Sequence, residues 1–397
     1  MPFEAVVMGA DQALADGNSI YRNICVAYFI ILFSLGVVGN TLLLSTLIYK
    51  QFQPRHVNTS SRRGTLQVRA PIRFHPRKHR LRFHSTADYL LFLLVFCEFI
   101  CIWLVLLRYG LHLIADTDLR NFSTFGCKLH VFLSQSAINM TVAMMCIFSA
   151  HRMVSMKWPL GTMKRITRRR LNWIIIGSLL SVLLKQLPVF HLFYRDEVGD
   201  GVQKCIKSQD PRLSVYINVY SYVEFGTHSA LGYTLLVCFN SVLYYTVNRY
   251  RRQNRQKSIV GVSKMEDAEI TLKKTESRRV GLSASIVIIS LSFVQVLSTI
   301  PYFLLIELNT RFKLNLVPVE YQFVVYYASI FTVFVNNAIN YYLVLSISKK
   351  FRQLTWKLIL RVFCCKKPEL SEACFGQQQE RSGFRSLGST NQMEKVS

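Results

Sequence analysis

Acidic residues are scarce in this chain: 22 aspartates and glutamates stand against 48 lysines and arginines over 397 residues, a formal net charge of +26. Internal repeats and Gly/Ser linkers are lacking too, which argues against the repeat-built transporters. The polar stretches hold no Ser/His/Asp set, metal-ligand spacing or Gly-rich phosphate loop, so no enzyme class is indicated and no cofactor is expected. Residues 1–23 have neither a basic opening nor a long apolar core, so they are not expected to form a cleaved signal peptide.

Apolar length is abundant. Crossing about 30 Å of hydrocarbon takes roughly 20 residues of helix, with every backbone group bonded internally. Seven stretches meet that length, near 24–48, 87–114, 125–150, 171–193, 214–247, 280–308 and 319–346. The basic residues crowd the connections after the first, third and fifth, such as Arg62, Arg63, Arg168, Arg169, Arg170, Arg251 and Arg252, and are sparse in the others. By the positive-inside rule the N-terminus is outside and the C-terminus cytoplasmic. The charge is therefore chiefly a topology signal, and nucleic acid is not an expected partner. The expected architecture is an all-α seven-transmembrane bundle over 24–347, with an outer tail 1–23, an amphipathic helix 348–365 and a cytoplasmic tail 366–397. The first inner connection carries a basic insert, 51–86, rich in Arg and His. Such a run suits a solvated segment drawn to anionic headgroups, and removing 54–79 would leave an ordinary short basic loop.

Of ten cysteines, Cys25, Cys97, Cys101, Cys146 and Cys238 fall inside spans as small apolar fillers. Cys127 and Cys205 fall on the outer side, where oxidising conditions permit a bridge. Asn121-Phe-Ser123 is an outer-loop glycosylation sequon. Asn58 and Asn139 match the same pattern but lie in an inner loop and inside a span.

In order, the spans carry Gly39-Asn40, the segment Ala87 to Glu98, Cys127 followed after 25 residues by Arg152 and after seven more by Pro159-Leu160, then Trp173, Pro301, Asn336-Asn-Ala-Ile-Asn340 and Phe351-Arg352 ahead of Cys364-Cys365. Jointly these resemble the rhodopsin-like (class A) G-protein-coupled receptors across about residues 24–365. The resemblance implies a Cys127–Cys205 bridge and palmitoylation at Cys364 and Cys365. It also implies a plasma-membrane receptor with an extracellular ligand and a heterotrimeric G protein as partners, and with kinases and arrestin at the C-tail.

It assigns a coupling switch to Arg152, flanked by His151 and Met153, together with Tyr244 and Asn340. It places a polar pocket at Asn40, Glu98, Thr141, Asn336 and Asn340, where Glu98 stands in place of the family's buried aspartate. Oxygen donors around one carboxylate suit Na⁺; the alternative is a protonated Glu98 that serves as internal hydrogen-bonding glue. The departures are many: His151 replaces an acid, Thr299 a tryptophan, Gln295 a phenylalanine, and Tyr341 and Val344 a proline and a tyrosine. With no acid beside Arg152 the resting lock should be weak.

Ser134 stands where amine receptors of the family carry an aspartate, and Phe334 where light receptors carry a lysine. A peptide ligand is the expectation, contacting Ser134, Gln135, Gln186, Glu224, His228 and Thr299. Lys185 and Glu307 are further outer-half polar residues for the same polar mouth; the alternative, for Lys185 above all, is to face loops or headgroups. A signalling-deficient scaffold or trafficking partner is the alternative reading, motivated by the departures.

Overall fold

The computed structural model describes residues 19–52, 85–157, 167–198, 202–208, 210–260, 268–309, 314, 316–318 and 321–363, with the side chains of 254–260, 268–284 and 363 excepted. Most of the basic insert, Asn58, Pro159-Leu160, Cys364-Cys365 and the C-tail lie outside these residues. Among the described residues, seven helices are long and apolar enough to cross a membrane. They are α1 (Ser19–Phe52), α2 (Thr86–Ala115), α3 (Thr124–Lys157), α4 (Arg168–Leu192), α5 (Pro211–Gln253), α6, whose apolar part is Ser285–Leu308, and α7 (Gln322–Ile347). A further helix, α8 (Lys349–Phe363), follows α7 after Ser348.

Local chemistry marks the helix starts. Ser85 and Thr167 accept hydrogen bonds from the first-turn N–H groups of α2 and α4, satisfying donors that have no intrahelical partner. α2 ends at Asp116, whose φ of 51° is left-handed, a conformation aspartate tolerates better than most residues. Each of α2, α5 and α6 contains a π-helical turn, at Ile102–Leu106, Phe225–Gly232 and Phe303–Leu308. The last begins two residues after Pro301, whose ring removes a backbone donor and loosens the ladder.

Apolar burial cannot by itself drive membrane helices together, because lipid is as apolar as leucine; close approach is what counts. Gly110 on α2 lies so near α1 that a Cβ there would sit 2.0 Å from the Phe29 ring, and one on Gly39 would lie 3.2 Å from Tyr341 of α7. Leu43, Leu90, Leu94, Met144, Met145, Leu236, Leu243, Ile288 and Leu291 interlock as one half of the interior, and Phe29, Ile102, Leu106, Tyr326, Ile330 and Phe331 as the other. Trp173 of α4 points outward.

Between α4 and α5 the chain forms an antiparallel hairpin, β1 (Phe193–Val198) with β2 (Val202–Lys207), in which Arg195 pairs with Cys205. A disulfide joins Cys205 to Cys127 in the first turn of α3. The hairpin is thereby fixed across one end of the bundle. α8 lies at the opposite end, its Phe351, Leu354 and Thr355 buried and Thr355 bonded to Thr46 of α1 at 3.3 Å.

Candidate functional site

A cavity of about 1270 Å³ opens beneath the hairpin and reaches Cys101, Thr141, Gln295 and Asn337. It exceeds the roughly 300–1,000 Å³ typical of small-molecule sites. Ser134, Gln135, Glu224, His228 and Thr299 line it, as does Glu307. Ser134 Oγ sits 3.2 Å from His130 Nδ1. Thr299 donates to the Gln295 carbonyl at 2.8 Å and lies 3.2 Å from the Tyr233 hydroxyl. Gln186 differs from expectation: it is fully buried and does not line the cavity. Its amide donates to Glu224 Oε2 at 2.9 Å while its oxygen accepts from Tyr220 at 2.6 Å, so it braces Glu224 from behind.

Lys185 neither lines the cavity nor lacks partners within the bundle. Its ammonium pairs with Glu224 Oε2 at 2.9 Å and donates to Asn139 Oδ1 at 2.6 Å and Thr227 Oγ1 at 3.1 Å. Asn139 in turn donates to Glu224 Oε1 at 2.6 Å. α3, α4 and α5 are thus stitched together by a charge pair with neutral donors and acceptors around it, the arrangement that desolvated charges demand. The sequence signal for this was one lone base in the fourth span and one lone acid in the fifth.

At the hairpin end Asp118 accepts from both Arg108 (2.9 and 2.7 Å) and Arg120 (3.0 and 2.9 Å). Burial alone would raise the Asp118 carboxyl, but the two guanidiniums overcome it and hold the group well below the usual carboxylate range. Asn121 lies next to this cluster with its Oδ1 accepting from the Cys205 N–H at 2.9 Å, and it lines the cavity. Its carboxamide is therefore folded under the hairpin, unlike the freely accessible sequon expected from the sequence. None of these three charged residues was singled out as a site by the sequence.

Deeper in the bundle, Glu98 is fully buried, and among the described residues no group meets hydrogen-bond geometry with either carboxylate oxygen. Asn340 stands beside it, and Asn340 Oδ1, Asn336 Oδ1 and Asn40 Oδ1 are likewise buried without partners. Asn40 Nδ2 donates to the Asn337 carbonyl at 2.8 Å, and Asn336 Nδ2 to Gln295 Oε1 at 2.6 Å. Thr141 does not join this group; its hydroxyl donates to the Ala137 carbonyl at 3.0 Å and lies 3.4 Å from Cys101 Sγ. Its hydroxyl is satisfied within α3 and against α2.

Toward the α8 end, Arg152 makes no ion pair among the described residues. Its guanidinium lies 5.9 Å from the Phe148 ring centroid, and its Nε is buried without a partner. Asp88, an acid whose field reaches Arg152, is held by Lys50 at 2.8 Å. His151 Nδ1 is buried without a partner, and Met153 is half-buried. Tyr244 is 58% exposed on the outer face of α5, because Leu243 and Val247 take the inward positions. One turn away, Asn240 donates to Ser149 at 3.2 Å, and Ser149 lies 3.4 Å from Ser292, so α3, α5 and α6 meet near Arg152 through weak polar contacts that are easily remade.

Residues 75–341 match the family model described as 7 transmembrane receptor (rhodopsin family). No curated protein matches the chain.

Proposed function

The chain belongs to the rhodopsin family of seven-transmembrane receptors, and from that premise we propose that it carries a peptide signal from the hairpin end of its bundle to a heterotrimeric G protein at the α8 end. The hairpin end is extracellular on this reading, and the membrane is the plasma membrane. The observation that carries the peptide assignment is the cavity: about 1270 Å³, lined by charges of both signs, including Arg108, Arg120, Lys204, Lys207, Glu224 and Glu307. A wide lining of mixed charge and polarity suits a peptide, which carries charged and polar groups along its length, better than a small apolar ligand. Screening a peptide library on cells that express the chain, with a promiscuous G-protein readout, tests this. Library members that signal only in expressing cells support the proposal, and silence across the library at confirmed surface expression contradicts it.

Arg152 would be the coupling residue. Its guanidinium lies over Phe148, and among the described residues no carboxylate pairs with it, which favours a low barrier to releasing it. One ion pair of this kind contributes only about 0–1 kcal/mol, which shifts a two-state equilibrium without abolishing it. His151→Glu, which restores an acid beside Arg152, is expected to lower ligand-free G-protein activation by up to about fivefold; unchanged basal activity would contradict the weak-lock account. The hinge at Pro301 and the π-helical turn behind it give α6 a point about which its Ser285 end can move. α8, with Trp356 and Val362 exposed, would lie on the inner leaflet, anchored further by acyl groups at Cys364 and Cys365. Kinases and arrestin would act on the tail beyond it.

The Glu98 pocket fits a hard monovalent cation. Among the described residues, five buried oxygens, on Asn40, Glu98, Asn336 and Asn340, have no hydrogen-bond partner, and a single carboxylate among carboxamides matches a charge of one. Glu98, Asn336 and Asn340 would hold Na⁺ there and so favour the arrangement that keeps their oxygens on the ion. Sodium chloride should raise the melting temperature of the purified chain above that in N-methylglucamine chloride at equal ionic strength. Glu98→Gln should remove the difference. Equal melting of the wild type in both salts would leave Glu98 as internal glue.

A further inference from the structure

Arg108 and Arg120 share one acid. Each guanidinium uses Nε and Nη2 on Asp118, and the three side chains, Arg108, Arg120 and Asp118, are 11%, 19% and 5% exposed. Two positive charges against one negative leave a surplus of +1 in a largely desolvated site, where Coulomb attraction is several times stronger than in water. Among the described residues, no second carboxylate pairs with either arginine. Nη1 of both takes no part in those bonds. All three residues line the cavity. Lys204 and Lys207 of the hairpin line it too, with Lys207 donating to Ser221 at 2.8 Å. Of the other acids that line the cavity, Asp116 pairs with Arg22 at 2.8 Å, Glu224 with Lys185 at 2.9 Å, and Asp210 accepts from the Arg212 N–H at 2.9 Å; Glu307 lines it from α6.

We propose that the Arg108–Arg120 wall of the cavity receives a carboxylate of the ligand, with the two guanidiniums donating to it as they already donate to Asp118. Guanidinium forks match carboxylate geometry, and charge-assisted bonds of this type are the strong ones. The carboxylate belongs either to a peptide C-terminus or to an Asp or Glu side chain; both present the same chemistry. This inference rests on the peptide-receptor reading and specifies its ligand class. Asp118 sets the affinity, since it competes for the same donors while keeping the arginines in place.

The test uses the full chain, purified into lipid nanodiscs, and three pools of random hexapeptides: free C-terminal acids with neutral side chains, neutral amides, and amides bearing one Asp or Glu. Retention of each pool is measured by mass spectrometry on wild type, Arg120→Gln and Asp118→Asn. The carboxamide oxygen introduced by Asp118→Asn would still accept the Arg120 N–H, as Asp118 does at 3.0 Å, so the turn persists while the counter-charge is lost. At least one carboxylate pool should be retained tenfold or more above the neutral amides, lose at least tenfold on Arg120→Gln, and gain on Asp118→Asn. Which of the two acid pools leads identifies the carboxylate. Neutral amides retained as well as the acids would overturn this subsite while leaving the peptide reading intact; no retention of any pool would overturn both. If Arg120→Gln does not fold, Asp118→Asn decides, because acid-pool retention that fails to rise contradicts the proposal.

Discussion

Lys185→Met is expected to destabilise the purified chain by about 2–3 kcal/mol, and Glu224→Leu by a similar amount, while the double variant returns to within about 1 kcal/mol of wild type. The asymmetry follows from where the pair sits. Lys185 and Glu224 are 17% and 20% exposed, so each has lost most of its water and depends on the other. Removing the ammonium leaves the Glu224 carboxylate with only the amides of Asn139 and Gln186. Removing the carboxylate leaves a cation with the Asn139 oxygen and the Thr227 hydroxyl. Removing both replaces two expensive charges with apolar packing, which is commonly neutral or better. Thermal or denaturant unfolding of the four proteins in one detergent measures the coupling directly. Additive losses would mean that the pair is a surface contact of little consequence.

Cys205→Ser carries the second large effect, a loss of about 2–5 kcal/mol. The bridge joins residues 78 apart in sequence, and closing a loop of that length removes a large share of the unfolded chain's freedom. The consequence extends to the site, because Lys204, Ile206 and Lys207 on the same strand line the cavity. An untethered hairpin would therefore weaken ligand retention as well as lower the melting temperature. Cys238→Ser is the matching control: Cys238 is an exposed free thiol on α5, and its change should stay within about 0.5 kcal/mol. A Cys205→Ser protein as stable as this control would mean that the hairpin is held by its other contacts, such as Asn121 to the Cys205 N–H.

The seven crossings were legible because hydrocarbon thickness sets a length that the sequence must match. Their ends were less so. α1 and α3 each run 34 residues, past the apolar stretches 24–48 and 125–150, because a helix propagates into polar flanks once formed. Inward and outward faces were harder still. Tyr244 and Trp173 match bundle positions in the sequence, yet both face outward, since lipid tolerates apolar groups on every face and hydrophobic period carries little information there. Polar residues in a span have stronger preferences: Glu98, Asn336 and Asn340 are all buried, with Asn340 beside Glu98 and Asn336 bonded to Gln295. Lys185 was ambiguous: its position suits a polar mouth or, as a long side chain near a helix end, the headgroups, and only its spatial opposition to Glu224 shows why it turns inward. The Arg108–Asp118–Arg120 cluster depends on a 3-10 turn at Leu119–Phe122 that folds the loop back on α2, which no periodicity announces.

Guanine-nucleotide exchange on a purified heterotrimeric G protein, driven by the chain in nanodiscs, bears most directly on the claim that the cavity and Arg152 act as the two ends of one device. Wild type should accelerate exchange, more so with a retained peptide, and Arg152→Ala at equal melting temperature should reduce the acceleration at least tenfold. Equal exchange by the two proteins, with or without peptide, would contradict the claim and favour a seven-helix scaffold that has kept the fold without the coupling.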